Sequence, residues 1–270
     1  MLCAMFKKNT NLKSVLFALL FVMGSSSCRE HQTHAMFIHF NMAFTQATTA
    51  CTLNKASLDS QFLPWGVLDL DLSNNYMMMP LIENRLPSSL LLGSPTSLST
   101  ENNLVSMTGV YISYRVSDDL TVELADGSQA PLGSRPELAD NFAQLPGSMN
   151  PTDLRVWELA AIPPPVGNAL NSATGLRDKY ATSEILVDIK FEGTLVDGSI
   201  VYSNVFTYPI WVCRGCLTYN PGVNCSILDD TVTGPCRFGQ DEGVDCRLCS
   251  QLTGDVERCD PGKIDVGGIE

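Results

Sequence analysis

Residues 185–206, ILVDIKFEGTLVDGSIVYSNVF, decide the fold class of this chain. Apolar residues occupy every second position from Ile185 to Phe191 and alternate mostly with charged ones, which is the period of a half-buried strand. Asp197-Gly198 offers the positive φ angles that a tight turn needs, and apolar residues resume beyond it. The stretch therefore predicts a β-hairpin, and its alternating β-branched residues disfavour a helix.

Further strands are predicted elsewhere in the body of the chain. The same two-residue period predicts strands at 67–73 and 110–116, and a continuous apolar stretch predicts one at 76–82 with Pro80 at an edge or bulge. Residues 156–162 are predicted to form another strand. Residues 126–153 are rich in Pro and Gly and are predicted as loops, and Pro163-Pro164-Pro165 ends the last of these strands. Many short strands with little helical periodicity predict a mainly β fold, an antiparallel β-sandwich compatible with an immunoglobulin-like architecture.

The composition changes at Cys213, because seven of the ten cysteines lie in residues 213–270 and few large apolar residues accompany them. A segment so poor in core residues needs covalent links to stay folded. We therefore predict four parts: a signal peptide at 1–27, a lipid-anchored tether at 28–50, the β-sandwich at 51–212, and a disulfide-rich C-terminal module at 213–270.

The N-terminus has the order of a secretory signal peptide. Three lysines precede the apolar run 15–23, and the small residues 24–27 follow it. The apolar run is well short of the roughly 20 residues that a membrane-spanning helix needs. The chain is therefore predicted to be exported, and the leader to be removed.

Cys28 is the predicted lipid anchor. The segment Ser25-Ser26-Ser27-Cys28 resembles a bacterial lipobox, although Ser25 stands where Leu is usual. Acylation would also remove Cys28 from the thiol pool and leave an even number of cysteines in the mature chain. The predicted location is the bacterial cell envelope, as an outer-membrane lipoprotein bound to membrane lipid through acylated Cys28. Plain secretion after ordinary cleavage is the alternative.

Eight cysteines are predicted to form disulfides: Cys51, Cys213, Cys216, Cys225, Cys236, Cys246, Cys249 and Cys259. Seven of them lie in the C-terminal module, so at least one must pair outside it, and Cys51 is the candidate. The sequence does not choose among the 105 pairings.

Two other chemistries fit these cysteines. Cys213-x-x-Cys216 and Cys246-x-x-Cys249 are spaced as in a four-thiolate zinc site, but an oxidising compartment favours disulfides. A redox role for a C-x-x-C pair is the further alternative. Pro221 and Gly222 follow Cys213 closely and no βαβ pattern surrounds it, which favours structural bridges.

Charge and histidine content exclude several functions. The net charge is −12 and becomes −15 without residues 1–27, which carry three lysines and no acids, so nucleic acid is excluded as a partner. Residues 40–270 contain no histidine, which removes Ser-His-Asp and Cys-His catalysis from the body. We predict no catalytic residues, no cofactor and no metal site. A hydrolase with paired carboxylates is the surviving enzymatic alternative.

The remaining polar and aromatic candidates are predicted to be structural. Asp69 and Asp71 share one strand face and are predicted to be solvated. The acids Asp118, Asp119, Asp229, Asp230, Asp241, Glu242 and Asp245 are predicted in solvated loops, with calcium binding as the alternative. His31, His34 and His39 are assigned to the tether, and Trp65, Trp157 and Trp211 to the core, with a sugar or peptide groove as the alternative.

The chain resembles uncharacterised cysteine-rich exported lipoproteins of the myxobacterial type. The segments YMMMPLIENRL (76–86), FTYPIWVCRGCL (206–217) and GQDEGVDC (239–246) carry the resemblance. It implies surface exposure and a β-rich body, and it transfers no functional residues. The leading hypothesis is an envelope lipoprotein whose sandwich is a structural or partner-binding module, with an envelope protein or a glycan as its partner. The alternatives are a carbohydrate-active hydrolase and a thiol-redox or metal-binding protein.

Overall fold

A computed structural model describes residues 34–47, 50–53, 56–88, 103–226 and 234–259. The described residues belong to one compact unit that begins at His34. The predicted signal peptide and the predicted lipid anchor, Cys28, lie outside the described residues. Within the described ranges, no helix is long and apolar enough to cross a membrane.

Two β-sheets form a sandwich, which confirms the predicted fold class. The large sheet has the order β11-β8-β14-β16-β5, with β15 beside β14. Its strands are β5 (Gly66–Asp69), β8 (Val105–Val116), β11 (Asn141–Met149), β14 (Thr182–Thr194), β15 (Ile200–Tyr202) and β16 (Phe206–Cys213). The small sheet has the order β12-β7-β1-β4. Its strands are β1 (Met36–Met42), β4 (Phe62–Leu63), β7 (Pro80–Asn84) and β12 (Leu154–Val156).

Shorter elements join and cover the two sheets. The paired strands are β2 (Phe44–Ala47) with β3 (Ala50–Leu53), β6 (Tyr76–Met78) with β13 (Leu159–Ile162), β9 (Thr121–Glu123) with β10 (Gln129–Pro131), and β17 (Thr218–Tyr219) with β18 (Val244–Asp245). The helices are α1 (Pro164–Asn171), α2 (Cys246–Thr253) and α3 (Val256–Cys259), with 3-10 turns at Leu132–Ser134, Pro136–Leu138 and Thr174–Leu176.

The predicted hairpin lies at the centre of the large sheet and supplies much of the core. Ile185, Val187, Ile189 and Phe191 on β14 are at most 1% exposed, and they pack with Met36 and other inward side chains of the small sheet. Burying each such side chain stabilises the fold by roughly 1.5–3 kcal/mol. The alternation that predicts the strand therefore also forms the interface between the two sheets.

Three segments differ from the prediction. The predicted loop 126–153 contains β11, an edge strand that pairs with β8 and has an irregular register between Gln144 and Gly147. Pro and Gly are tolerated there because an edge strand need not donate every N–H group. Pro163 ends a strand, as predicted, but it also precedes the helix α1. Pro164 and Pro165 fit the first turn of α1 because backbone N–H groups at those positions have no partner within a helix, so proline loses no hydrogen bond there. In the large sheet, β5 and β16 pair in parallel rather than antiparallel.

Residues 36–42, which the sequence assigns to the tether at 28–50, form β1 inside the small sheet, so this part of the prediction is wrong. Met36, Ile38 and Met42 are buried. The side chain of Asn204 accepts a hydrogen bond from the backbone N–H of Ile38 at 2.7 Å, so β1 is also tied to the connection that precedes β16. The folded body therefore starts before Cys51.

The C-terminal module contacts the sandwich through residues 239–241. The side chain of Gln240 accepts from the backbone N–H of Met77 at 2.9 Å and donates to the carbonyl of the same residue at 3.0 Å. The carbonyl of Gly239 accepts from the N–H of Asp69 at 2.9 Å. The Gly239 contact adds the module to the β5 edge of the large sheet, and the Gln240 side chain ties it to β6.

A further disulfide is expected between Cys51 and Cys236. Cys236 is disulfide-bonded, and the other six cysteines of the module pair among themselves. Cys3, Cys28 and Cys51 are the remaining partners, and their side chains lie outside the described residues. Because Cys3 belongs to the predicted leader and Cys28 is the predicted anchor, Cys51 remains. Mass spectrometry of unreduced peptides should recover a Cys51–Cys236 pair, and a free Cys51 thiol would contradict this prediction.

Candidate functional site

The outer face of the large sheet is open to solvent and carries polar and aromatic side chains. Because successive residues of a strand point to opposite faces, the buried positions of β14 and β8 alternate with outward ones. Asp188, Lys190 and Glu192 point outward from β14, and Tyr111 and Arg115 point outward from β8. The neighbouring strands hold these side chains at fixed spacings.

An aromatic row, which we define as Phe142, Tyr111 and Tyr202, crosses this face. Phe142 on β11 lies opposite Tyr111 on β8, with their ring centres 4.8 Å apart. Tyr111 lies opposite Lys190 on β14, whose ammonium nitrogen is 4.0 Å from the ring centre of Tyr202. The hydroxyl of Tyr111 donates to Glu192 at 2.7 Å. The three rings are therefore held in place while remaining 37–43% exposed.

A shallow depression of about 170 Å³ lies beside the aromatic row. It is smaller than the roughly 300–1,000 Å³ of typical small-molecule pockets, and its size suits one ring of a longer ligand. Its lining combines apolar surface with carboxylates, a hydroxyl and an ammonium group, from Tyr111, Ile112, Ser113, Asp140, Asp188, Ile189, Lys190 and Val205.

An ion pair fixes the Asp188 carboxylate in the lining of this depression. Both oxygens of Asp188 accept from the guanidinium of Arg115 at 2.9 Å, and the hydroxyl of Thr207 donates to the same carboxylate. Burial raises the pKa of Asp188, but the bonds from Arg115 and Thr207 together outweigh it, so the pKa lies below its usual value. Asp188 is therefore a charged acceptor of defined orientation at neutral pH.

Two tryptophans predicted in the core are exposed, which corrects the expectation. Trp65 precedes β5 and is 55% exposed, and Trp211 lies on the outward side of β16 and is 45% exposed. Trp157 is partly buried against the core, as predicted. The alternation in β16 carries Ile210 and Val212 inward, so Trp211 must point to solvent.

The predicted disulfides are confirmed for three pairs: Cys213–Cys216, Cys225–Cys246 and Cys249–Cys259. The four cysteines of the alternative zinc site therefore belong to three separate bridges. Cys246 and Cys249 do open a helix, α2, but each pairs with a partner outside the C-x-x-C motif. Asp245 caps that helix by accepting the N–H of Arg247 at 2.9 Å.

Asp69 is buried rather than solvated, so the prediction made for this residue in the strand 67–73 is wrong. It is 0% exposed and accepts backbone N–H groups from Asp71 at 3.0 Å, Gly215 at 2.8 Å and Leu217 at 2.9 Å. Burial raises the pKa of Asp69 although these three bonds oppose the rise. Asp71, at 9% exposure, pairs with Arg214 at 3.0 Å. The turn that holds Cys213 and Cys216 covers this side of β5, so both faces of the strand are buried.

Among the described residues, Asp69, Cys213 and Cys216 form one group of the kind that binds metals. One carboxylate oxygen and the two sulfurs lie within 4.8 Å of one another. Because the sulfurs are joined as a disulfide, they offer no thiolate ligands in the oxidised protein.

Asp241 joins the C-terminal module to the sandwich. Its carboxylate accepts the N–H of Val67 at 2.8 Å and the hydroxyl of Tyr76 at 2.9 Å, and that hydroxyl lies 3.3 Å from the hydroxyl of Tyr208. Burial raises the pKa of Asp241 to about 6. It borders a cavity of about 70 Å³, room for little more than two waters. Glu242 beside it accepts the N–H of Cys236 at 3.0 Å, so both acids are engaged in structural contacts.

The other predicted acidic and histidine groups are distributed over the molecule. Asp118 and Asp119 are exposed, while Asp229 and Asp230 lie outside the described residues. His39 pairs with Glu83 at 3.0 Å on the small sheet, so it belongs to the folded body rather than to a tether. His34 is exposed and His31 lies outside the described residues.

The fold and this surface define a disulfide-linked β-sandwich with an exposed aromatic face. No family model and no curated protein matches the chain. A solved structure to which it is similar is the solution structure of a protein described as late embryogenesis abundant (LEA), with 9% identity over 75% of this chain and 86% of that chain. The TM-score of 0.31 is too low for that similarity to support a conclusion about fold or function.

Proposed function

We propose that this protein is an exported binding module, held at a membrane by acylated Cys28, that takes a neutral polysaccharide along the outer face of its large sheet. The observation that carries the proposal is the aromatic row beside the depression at Asp188. The leader and the lipobox-like segment before Cys28 support export and anchoring. The proposed activity is binding alone, without a covalent step.

The aromatic row supplies what a sugar chain needs. A ring face packs on the apolar face of a sugar, and aromatic side chains combine large contact area with little loss of rotamer entropy. Between Tyr111 and Tyr202, the Lys190 ammonium and the Glu192 carboxylate offer a donor and an acceptor at the height of the rings. Sugar hydroxyls can use both.

The charge of the chain favours an uncharged ligand. A net charge of −12 repels acidic polysaccharides at low salt. Opposite charges lie side by side on this face, since Arg115 pairs with Asp188 and Lys190 is two residues from Glu192 on the same side of β14. A neutral polysaccharide meets no electrostatic penalty on approach.

Affinity electrophoresis tests this proposal directly. In gels that contain hydroxyethylcellulose, xyloglucan or laminarin, we expect at least one polysaccharide to retard the protein. Tyr111→Ala should weaken that binding about tenfold, because one stacked ring contributes roughly 0.5–1.5 kcal/mol beyond its buried area.

Tyr219→Ala is the matched control, since Tyr219 is 50% exposed but lies on β17, outside the large sheet. This variant should bind as the unaltered protein does. Equal binding by Tyr111→Ala, or no retardation by any neutral polysaccharide, would refute the proposal. Retardation by alginate alone would also do so, because that polymer is acidic.

A further inference from the structure

The Cys213–Cys216 bridge differs from the other two described bridges in its exposure. Cys216 is exposed, whereas Cys225 is 6% exposed and Cys246, Cys249 and Cys259 are 0% exposed. Cys213 is 1% exposed. An external thiolate attacks a disulfide in line through one of its sulfurs, so access to Cys216 makes this bridge the most open to exchange among the three described bridges.

This bridge also closes the shortest loop of the three described bridges. Its cysteines are 3 residues apart, compared with 21 for Cys225–Cys246 and 10 for Cys249–Cys259. In the chain-entropy view, the stabilisation by a disulfide grows with the length of the loop that it closes. A structural role therefore explains Cys213–Cys216 less well than the other two bridges.

The turn that holds the two sulfurs is fixed by contacts that do not depend on the S–S bond. Asp69 accepts the N–H groups of Gly215 and Leu217, and the carbonyl of Cys213 accepts the N–H of Leu70 at 2.8 Å. Gly215 has a φ of +68°, which glycine adopts without strain. The two thiols would stay adjacent after reduction, as reversible exchange requires.

We propose that Cys213–Cys216 is an exchangeable disulfide that reacts with external thiols, with Cys216 as the sulfur that is attacked. In the first step an external thiolate forms a bond to the Sγ of Cys216, and the S–S bond breaks with its electron pair leaving on Cys213. A second external thiolate then displaces Cys216 from the mixed disulfide. Protons lost by the two external thiols neutralise both cysteine thiolates, so two electrons pass to the protein and the external thiols leave as a disulfide.

The first test is the order in which the bridges open. The full chain is equilibrated in glutathione buffers of graded redox poise, thiols are trapped with iodoacetamide, and peptides are quantified by mass spectrometry. Cys213 and Cys216 should become labelled together, with an equilibrium constant for reduction at least a hundredfold above those of Cys225–Cys246 and Cys249–Cys259, or about 59 mV for two electrons. Simultaneous opening of all bridges, or opening of this bridge last, would overturn the proposal.

The second test compares Cys213→Ser with Cys216→Ser. Both variants lack the same bridge, so they are matched in the covalent link that they lose. With oxidised glutathione, Cys213→Ser should form a mixed disulfide at Cys216 at least tenfold faster than Cys216→Ser forms one at Cys213, because Cys213 is buried. Urea unfolding confirms that both variants are folded. Equal rates, or no adduct in either variant, would overturn the proposal.

Discussion

Replacing Asp69 with alanine is expected to lower the free energy of unfolding by about 4 kcal/mol, since each buried donor left without an acceptor costs about 1–3 kcal/mol. The carboxylate accepts three backbone N–H groups, from Asp71, Gly215 and Leu217, in a place without solvent contact. The burial that raises the pKa of Asp69 offsets part of this loss. Urea unfolding followed by tryptophan fluorescence measures the change.

Asp69→Asn and Asp126→Ala are the comparison variants for Asp69→Ala. The free energy of unfolding of Asp69→Asn should lie between those of Asp69→Ala and the unaltered protein. Its Oδ1 still accepts from Asp71 and Gly215, but its amide NH₂ cannot accept from the N–H of Leu217. Asp126→Ala is the control, since Asp126 is exposed and accepts the backbone N–H of Ser128 at 2.9 Å. Its effect on the free energy of unfolding should be far smaller, because water can replace an exposed acceptor. An Asp69→Ala protein as stable as Asp126→Ala would contradict the described role of this carboxylate.

Asp241→Asn is expected to raise the free energy of unfolding at pH 7 by about 2 kcal/mol, since the shift in pKa corresponds to about 3 kcal/mol and partial solvent access reduces it. Burial raises the pKa of Asp241 from 3.8 to about 6 in the folded protein, so the folded state binds this proton more tightly than the unfolded state. The resulting stability is complete below pH 3.8 and is lost as the pH rises through about 6. Asparagine keeps an oxygen for Val67 and carries no charge.

The pH dependence distinguishes this effect from a change in packing. The stability difference between Asp241→Asn and the unaltered protein should shrink steadily from about pH 7 to about pH 4 in urea unfolding. Asp126→Asn is the control of opposite sign, because hydrogen bonds from Ser128 lower the pKa of Asp126. A difference that does not vary with pH, or an Asp241→Asn protein less stable at neutral pH, would contradict the assignment.

Local periodicity is enough to predict the sandwich. The alternation in β14 and β8 and the Asp197-Gly198 turn all appear where expected, since each depends only on residues near in sequence. The strand β11 escapes prediction because Pro146 and Gly147 resemble loop residues, and its pairing with β8 is not a local property. Register irregularities of this kind follow from the neighbouring strand.

The burial of Asp69 cannot be predicted for a similar reason. Alternation assigns it to the face opposite Leu68 and Leu70, which is the solvent face of an ordinary two-layer sheet. The turn after β16 covers that face and the segment 239–241 pairs with the edge of β5, and both are more than 140 residues away. The residues near Asp69 in sequence therefore do not indicate that distant segments bury its carboxylate.

Part of the aromatic row can be predicted from the sequence. Tyr111 occupies an outward position in the alternating run 110–116, where a charged or small residue is usual. Tyr202 follows the Asp197-Gly198 turn in the return strand of the hairpin. Phe142 lies in the segment predicted as loop, and only the pairing of β11 with β8 brings it beside Tyr111. A search for aromatic residues at outward strand positions therefore finds two of the three.

Hydroxyl-radical footprinting with and without a bound neutral oligosaccharide tests the proposed binding face most directly, because it reports the solvent exposure of individual aromatic side chains. We predict that oxidation of Tyr111, Phe142 and Tyr202 falls when the ligand is bound. Oxidation of Trp65 and Tyr219, which are exposed outside the aromatic row, should stay the same. Protection of Trp65 or Tyr219 with unchanged oxidation of the aromatic row would contradict the account.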